Sequence, residues 1–335
     1  LWRARPSAFD HPREENDMRT ALTVCCLVAV AGSAQAGSVT NVEFLDLFGQ
    51  SYRVTSWNVQ ADAGAGLDFE PEGMTFFDGR LFATTDFGNA QNRMVEWTPG
   101  PSGNLSSPLT IQIDLATPWG AEGLTVNFSG SGYGSYAGND FVFSSGDSEN
   151  EQLGIIDPNV NPATVTGVTA PGSFNLDDIT YVDDNDAFAI ILDEVEDIDG
   201  NVIVPQRVAF YDKMDLSNEL YTFQTIPDVK GITTLSRSAA ELLTGQSLAT
   251  GDYLAIVAET NDLVITDLLG NQIGGVQSFK PTDVVEIESI AYDERFNVLY
   301  FGDEGAETIY AVNIPAPGSA LALGLLAPLG LRRRR

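Results

Sequence analysis

Histidine and cysteine are nearly absent from this sequence, and basic residues are few. One histidine, His11, and two cysteines, Cys25 and Cys26, lie near the amino terminus of the 335 residues. Between residues 37 and 317 there is neither, so that stretch cannot build a Ser-His-Asp triad, a cysteine nucleophile, a disulfide or a haem ligated by either residue. A zinc site resting on those ligands is excluded as well. Lysine and arginine number 17 against 47 aspartates and glutamates, a formal net charge of -30. Four acids and four bases precede residue 37 and four arginines follow residue 317, which leaves 43 acidic and nine basic side chains between them. A surface of that sign repels nucleic acid and anionic lipid, so neither is an expected partner of the body. Apolar helical periodicity is lacking too. Only Ser238–Leu248 reads as a short helix or loop insertion, so the crossover helices of a parallel α/β fold have no place. A hydrophobic fraction of 43% nonetheless supports a real core.

The two ends read as processing signals. Residues 1–17 have no initiator Met and no periodic pattern, and Met18 reads as a better start. Arg19, the apolar run Ala21–Ala31 and Ser33-Ala34-Gln35-Ala36 have the order of a secretory signal over 18–36, with Gly37 as the first mature residue. At the other end Pro315-Ala316-Pro317 precedes the apolar run Gly318–Leu331 and then Arg332–Arg335. Fourteen apolar residues are short of the roughly 20 that span a bilayer stably. The tail over 315–335 resembles a PEP-CTERM sorting signal, with Ala316 where that motif has Glu. The resemblance implies transient membrane residence, a sorting transpeptidase-like enzyme as partner, and a destination at the cell surface or beyond it.

Between the ends, over 37–314, one pattern recurs. An acidic-plus-small turn leads into a short apolar strand at Glu72-Gly73-Met74-Thr75, Glu122-Gly123-Leu124-Thr125, Asp177-Asp178-Ile179-Thr180, Lys230-Gly231-Ile232-Thr233 and Glu288-Ser289-Ile290-Ala291. Each unit continues through a second strand ending in acids and a third strand. A fourth follows in most units, at Leu109–Ile113, Thr164–Val168, Leu220–Ile226 and Ile273–Phe279. Three or four short strands per repeat of about 50 residues are the pattern of a propeller blade, so the expected fold is an all-β propeller of five or six blades. Tyr52–Val59 is placed to supply the strand that the last unit lacks, and Val39–Phe48 is the material for a sixth blade.

In a propeller the loops leading into the first strands and the loops after the second strands open on one face. That expectation gathers Glu72, Glu122, Asp177 and Glu288 with Asp86, Asp147, Asp193, Glu194, Glu259, Asp303 and Glu304 around one mouth of the central channel. Crowded carboxylates raise one another's pKa unless a cation neutralises them, and calcium suits an all-oxygen site in an extracellular medium. The expected metal ligands are Glu72, Asp86, Glu122, Asp177, Glu259, Glu288 and Asp303, with Asp177 and Glu288 as candidate proton acceptors. An acid at a strand-leading turn can equally serve the fold by accepting backbone N–H bonds. Lys230 stands where other units put an acid. The acidic stretch Asp193–Gly200 is half an EF-hand at best and reads as a long hairpin loop.

Phe69-Glu70-Pro71-Glu72-Gly73-Met74-Thr75 with Asp78-Gly79-Arg80-Leu81-Phe82, Trp119–Thr125 and Phe174–Thr180 resemble the extracellular bacterial propellers of the esterase-like phytase family. The resemblance implies hydrolysis of a phosphate or carboxylic ester with calcium at the channel mouth. Two features depart from such a hydrolase: no histidine is available for proton transfer, and nine cations are few for gripping phosphate. The sequence therefore favours a non-catalytic, exported binding protein for polysaccharide or a surface protein, with the hydrolase as the alternative.

Overall fold

The computed structural model describes residues 39–62, 69–85, 93–114, 123–127, 140–143, 152–157, 163–169, 176–196, 199, 201–213 and 215–315, all within one compact unit, Ala34–Arg335. Apart from Pro315, both terminal signals lie outside the described residues. Among the described residues no helix is long and apolar enough to cross a membrane.

The chain is a β-propeller. It opens with a hairpin, β1 (Val39–Leu47) and β2 (Gln50–Asn58). A meander of β3 (Gly73–Phe77), β4 (Arg80–Thr85), β5 (Arg93–Pro99) and β6 (Leu105–Asp114) follows. A second contains β7 (Leu124–Asn127), β8 (Asp140–Phe143), β9 (Gln152–Asp157) and β10 (Ala163–Thr169). The third, β11 (Leu176–Val182), β12 (Ala187–Leu192), β15 (Arg207–Asp212) and β16 (Asp215–Gln224), is interrupted by a small ribbon, β13 (Val195–Glu196) and β14 (Val202–Val204), at the expected hairpin loop. The fourth is β17 (Val229–Leu235), β18 (Tyr253–Ala258), β19 (Asp262–Asp267) and β20 (Gln272–Ser278). The chain closes with β21 (Ile287–Asp293), β22 (Val298–Asp303) and β23 (Thr308–Asn313).

Apart from the small ribbon, these strands form four sheets, where five or six blades were expected. The first two meanders merge into one eight-stranded sheet because β6 and β10 pair in parallel at Ile113–Ala163 and Asp114–Thr164. β2 pairs antiparallel with β23 from Arg53–Asn313 to Asn58–Thr308, so the amino-terminal strand ties the two ends of the propeller together. β1 adds to that same sheet as a fifth strand. The first strands are neighbours in a closed ring: β3 beside β7, β7 beside β11, β11 beside β17, β17 beside β21, and β21 beside β3.

Local chemistry explains the joints. Asp78 and Gly79 both take positive φ, 45° and 82°, which is the type I′ geometry of a two-residue hairpin between β3 and β4. Gly231 has another reason. A Cβ there would come within 2.7 Å of Val257 and 2.9 Å of the Glu288 carbonyl oxygen, so neighbouring first strands approach as closely as they do only without a side chain. One helix, α1 (Arg237–Thr244), joins β17 to β18; Ser236 caps its amino end, and Gly245 ends it in the left-handed region. Its buried Ala239, Ala240 and Leu243 pack with Tyr52, whose hydroxyl donates to the Leu243 carbonyl at 2.7 Å.

The core lies between adjacent sheets. Ala255, Val257, Leu263 and Ile265 of one sheet meet Tyr52, Phe301, Tyr310 and Val312 of the next. Trp97 fills the neighbouring seam, fully buried and edge-on to Phe69 at 5.6 Å.

Candidate metal centre

Two of the acids that lead the repeats, Glu72 and Glu288, stand in clusters of carboxylates. Oxygens of Glu70, Glu72 and Glu304 lie within 4.8 Å of one another, and so do those of Glu286, Glu288 and Glu304. Glu304 belongs to both groups, so the two triads are joined through it. Glu72 is buried, and the other four are half-buried. The backbone fixes the arrangement: the Glu72 N–H donates to the Thr84 carbonyl at 3.1 Å, and the Glu304 N–H donates to the Glu286 carbonyl at 3.2 Å.

Side chains meet acid to acid. Glu286 hydrogen-bonds to both Glu259 and Glu288, and Glu288 hydrogen-bonds to Glu304. Each such contact needs a proton between two carboxyls. Burial, and then the charge of Glu304, push the Glu288 carboxyl up to about 8, against a smaller opposing pull from Lys230. Glu286 is raised by burial, then by Glu259 and Glu304.

Lys230 links this chain to the second expected acid. Its Nζ lies 3.3 Å from Asp177 Oδ1, and Gln206 donates to Asp177 Oδ2 at 3.2 Å. Burial raises Asp177 to about 6 even though Lys230 pulls it down. Gln206 is locked in turn, donating to the Val229 carbonyl at 2.8 Å and accepting from the Val229 N–H at 2.7 Å. Lys230, Asp193 and Glu259 also line a cavity of about 380 Å³ beside the cluster.

Of the seven expected ligands, Glu72 and Glu288 lie in the glutamate cluster, Glu259 reaches it through Glu286, and Asp177 reaches it through Lys230. Asp86 and Glu122 lie outside the described residues. Asp303 stands apart. Its carboxylate accepts from the N–H groups of Val285 at 2.8 Å, Glu286 at 3.1 Å and Ala306 at 2.9 Å, and it shapes the loop that carries Glu286. Its neighbour Glu304 takes the place in the cluster. Asp178 likewise faces inward, fully buried. It accepts from Leu124, Ile179 and Ile232 N–H groups and so clamps β7, β11 and β17 together.

Glu70 and Glu286 were not singled out from the sequence. The signal was there: each stands two residues before a leading acid, in Glu70-Pro71-Glu72 and Glu286-Ile287-Glu288. In extended chain, that spacing puts both side chains on one face. The donor set is entirely carboxylate oxygen, hard and negatively charged, which fits calcium and does not suit a soft transition metal.

No model of a known protein family matches this chain, and no curated protein matches it. The likeness to esterase-like phytase propellers and the PEP-CTERM-like tail therefore remain resemblances. Among solved structures the chain is similar to glutaminyl cyclase from Myxococcus xanthus, at 10% identity and a TM-score of 0.46, over 74% of this chain and 92% of that one. It is also similar to Raptor from Chaetomium thermophilum, at 13% identity and a TM-score of 0.37, over 85% of this chain and 25% of that one. The Pan2 WD40 domain of Neurospora crassa is a further neighbour, at 13% identity and a TM-score of 0.35, over 83% and 75% of the two chains. None of these likenesses bears on what the chain binds or does.

Proposed function

We propose that this protein is an exported five-bladed propeller that holds a calcium ion at the glutamate mouth of its channel and works as a binding module for a polysaccharide or a surface protein. The five-blade count takes the eight-stranded sheet as two blades joined at their outer strands, in line with the closed ring of five first strands. The observation that carries the cation is the overlap of two glutamate triads at Glu304, with Glu288 raised to about 8 in its absence. A cation would replace the shared protons and bind six to eight oxygens in loose geometry. Its place in the loops would fix their positions and so the shape of that face. Export rests on the secretory signal over 18–36, and surface delivery rests on the sorting tail over 315–335.

A calorimetric titration of the purified protein with calcium, paired with thermal melts in chelator and in calcium, tests the cation. Saturable binding and a rise in melting temperature are expected, and both should be lost in Glu304→Gln. Absence of binding in the unmodified protein would overturn it.

One observation favours a second reading, a phosphate or carboxylic ester hydrolase. Asp177 and Glu288, two carboxyls raised toward neutrality, flank a single lysine, so proton acceptors and a cation stand side by side. When bound, calcium would supply polarisation of a substrate oxygen. Turnover of an ester panel that disappears in Asp177→Asn would move the conclusion to this reading.

A further inference from the structure

The opposite mouth of the channel is built differently. There the first strands end around a cavity of about 830 Å³, within the range of about 300–1,000 Å³ typical of small-molecule sites. Thr75, Thr125, Thr180, Thr233 and Tyr292 line it, one from each of the five first strands, so the cavity is centred on the ring.

Its chemistry is hydroxyl below and aromatic ring above. Thr125 Oγ1 accepts from the Tyr181 N–H at 3.0 Å and keeps its own proton to donate. Thr234 donates to the Tyr181 carbonyl at 2.7 Å, so in its 3.3 Å contact with Thr180 the Thr180 hydroxyl is the donor, and the Thr180 oxygen is left as an acceptor. The floor thus offers both donors and acceptors. Phe76, Tyr181 and Tyr292 supply apolar surface on the walls.

Charge excludes one ligand class. Asp78, Asp183, Asp252 and Glu294 line the cavity against one cation, Arg295. Arg295 is already neutralised: buried Asp293 accepts from its Nε at 3.2 Å and from its terminal nitrogen at 3.1 Å, and the Gly79 carbonyl accepts at 2.8 Å. The guanidinium also lies 4.8 Å from the Phe76 ring centre and 5.0 Å from that of Phe296, which fixes the wall. An anionic ligand would meet a net negative site. Among the described residues, these four carboxylates form no group close enough to share a metal ion.

We infer that this cavity binds a neutral saccharide, either a short free oligosaccharide or the end of a glycan chain. Hydroxyl groups are what a floor of mixed donors and acceptors recognises, carboxylates at the rim accept from further hydroxyls, and aromatic walls take the C–H faces of sugar rings. The inference rests on reading the protein as a binding module, and it concerns the mouth opposite the glutamates.

The test is a calorimetric panel of short neutral oligosaccharides against the purified protein, run once in chelator and once in calcium. A matching long polysaccharide and a multivalent end-displayed glycan separate the two sources of the ligand. At least one neutral sugar should bind in both media with a Kd below about 1 mM. Thr233→Val should weaken it about tenfold. Should that variant fail to fold, Asp78→Asn on the exposed rim should weaken it several-fold. No neutral sugar binding up to about 10 mM, a preference for anionic or cationic ligands, or binding indifferent to both cavity variants would overturn the inference. Calcium binding would survive that failure, and ester turnover would sink the binding-module reading while leaving sugar binding measurable.

Discussion

The two mouths of this channel handle charge in opposite ways. At the glutamate mouth, carboxyl faces carboxyl: Glu259, Glu286, Glu288 and Glu304 form a chain with Lys230 at its flank. At the other mouth the cations are paired, although Asp78, Asp183, Asp252 and Glu294 leave its lining net negative. Asp293 grips Arg295, and Lys213 is paired with Asp186 beneath the Tyr181 ring. Crowded like charges cost stability in a way that paired ones do not. A third set of acids belongs to neither mouth. Asp178 and Asp303 are buried and satisfied by backbone N–H groups, so they serve the fold. The contrast separates acids that hold blades together from acids that face one another.

The largest effect should come from breaking the structural set. Asp178→Ala removes the acceptor shared by three strands at full burial, and we expect a loss of roughly 3 kcal/mol or more, read from the urea midpoint, with Asp178→Asn milder. Gly231→Ala should follow at roughly 2 kcal/mol, because its Cβ meets Val257 and the backbone of β21, and the same denaturation curve reports it.

The glutamate mouth should respond to pH. Glu288 is raised from 4.5 to about 8 and Asp177 from 3.8 to about 6. Between those limits the folded protein holds protons that the unfolded chain has released. Stability in chelator should therefore fall as pH rises from about 4 to about 8, by on the order of 1–2 kcal/mol after solvent screening. Calcium should flatten or reverse that slope, and Glu288→Gln should flatten it without calcium. A melting series across pH in the two media checks both. The smallest effect should come from the matched side: Ser236→Ala removes the cap of α1 at a cost of about 1 kcal/mol and leaves calcium affinity unchanged.

Much of this was legible in the sequence because the repeat carries it. The leading acids Glu72 and Glu288 and the substitution of Lys230 mark the loops that meet at one mouth. The turn at Asp78-Gly79 and the closing role of the strand near Tyr52–Val59 could also be read directly. Two features were not legible for physical reasons. Asp303 ends β22 and turns to backbone N–H groups while Glu304, the first residue of the following turn, joins the cluster; Asp177 and Asp178 sit in a register irregularity between Leu176 and Ile179, where strand parity does not say which side chain turns in. The pairing of β6 with β10 is set by how two meanders meet, and no local pattern in either strand encodes it. The Thr positions of the repeat carry no local signal of a site; only the ring of first strands brings them to one cavity.

The central claim is that the glutamates share protons until a cation takes their place. Calcium titration at pH 7 in buffers of different ionisation heat measures it directly. Binding should release about one proton per calcium ion, with both binding and release lost in Glu288→Gln. Calcium binding without proton release, or no binding at all, would contradict the account.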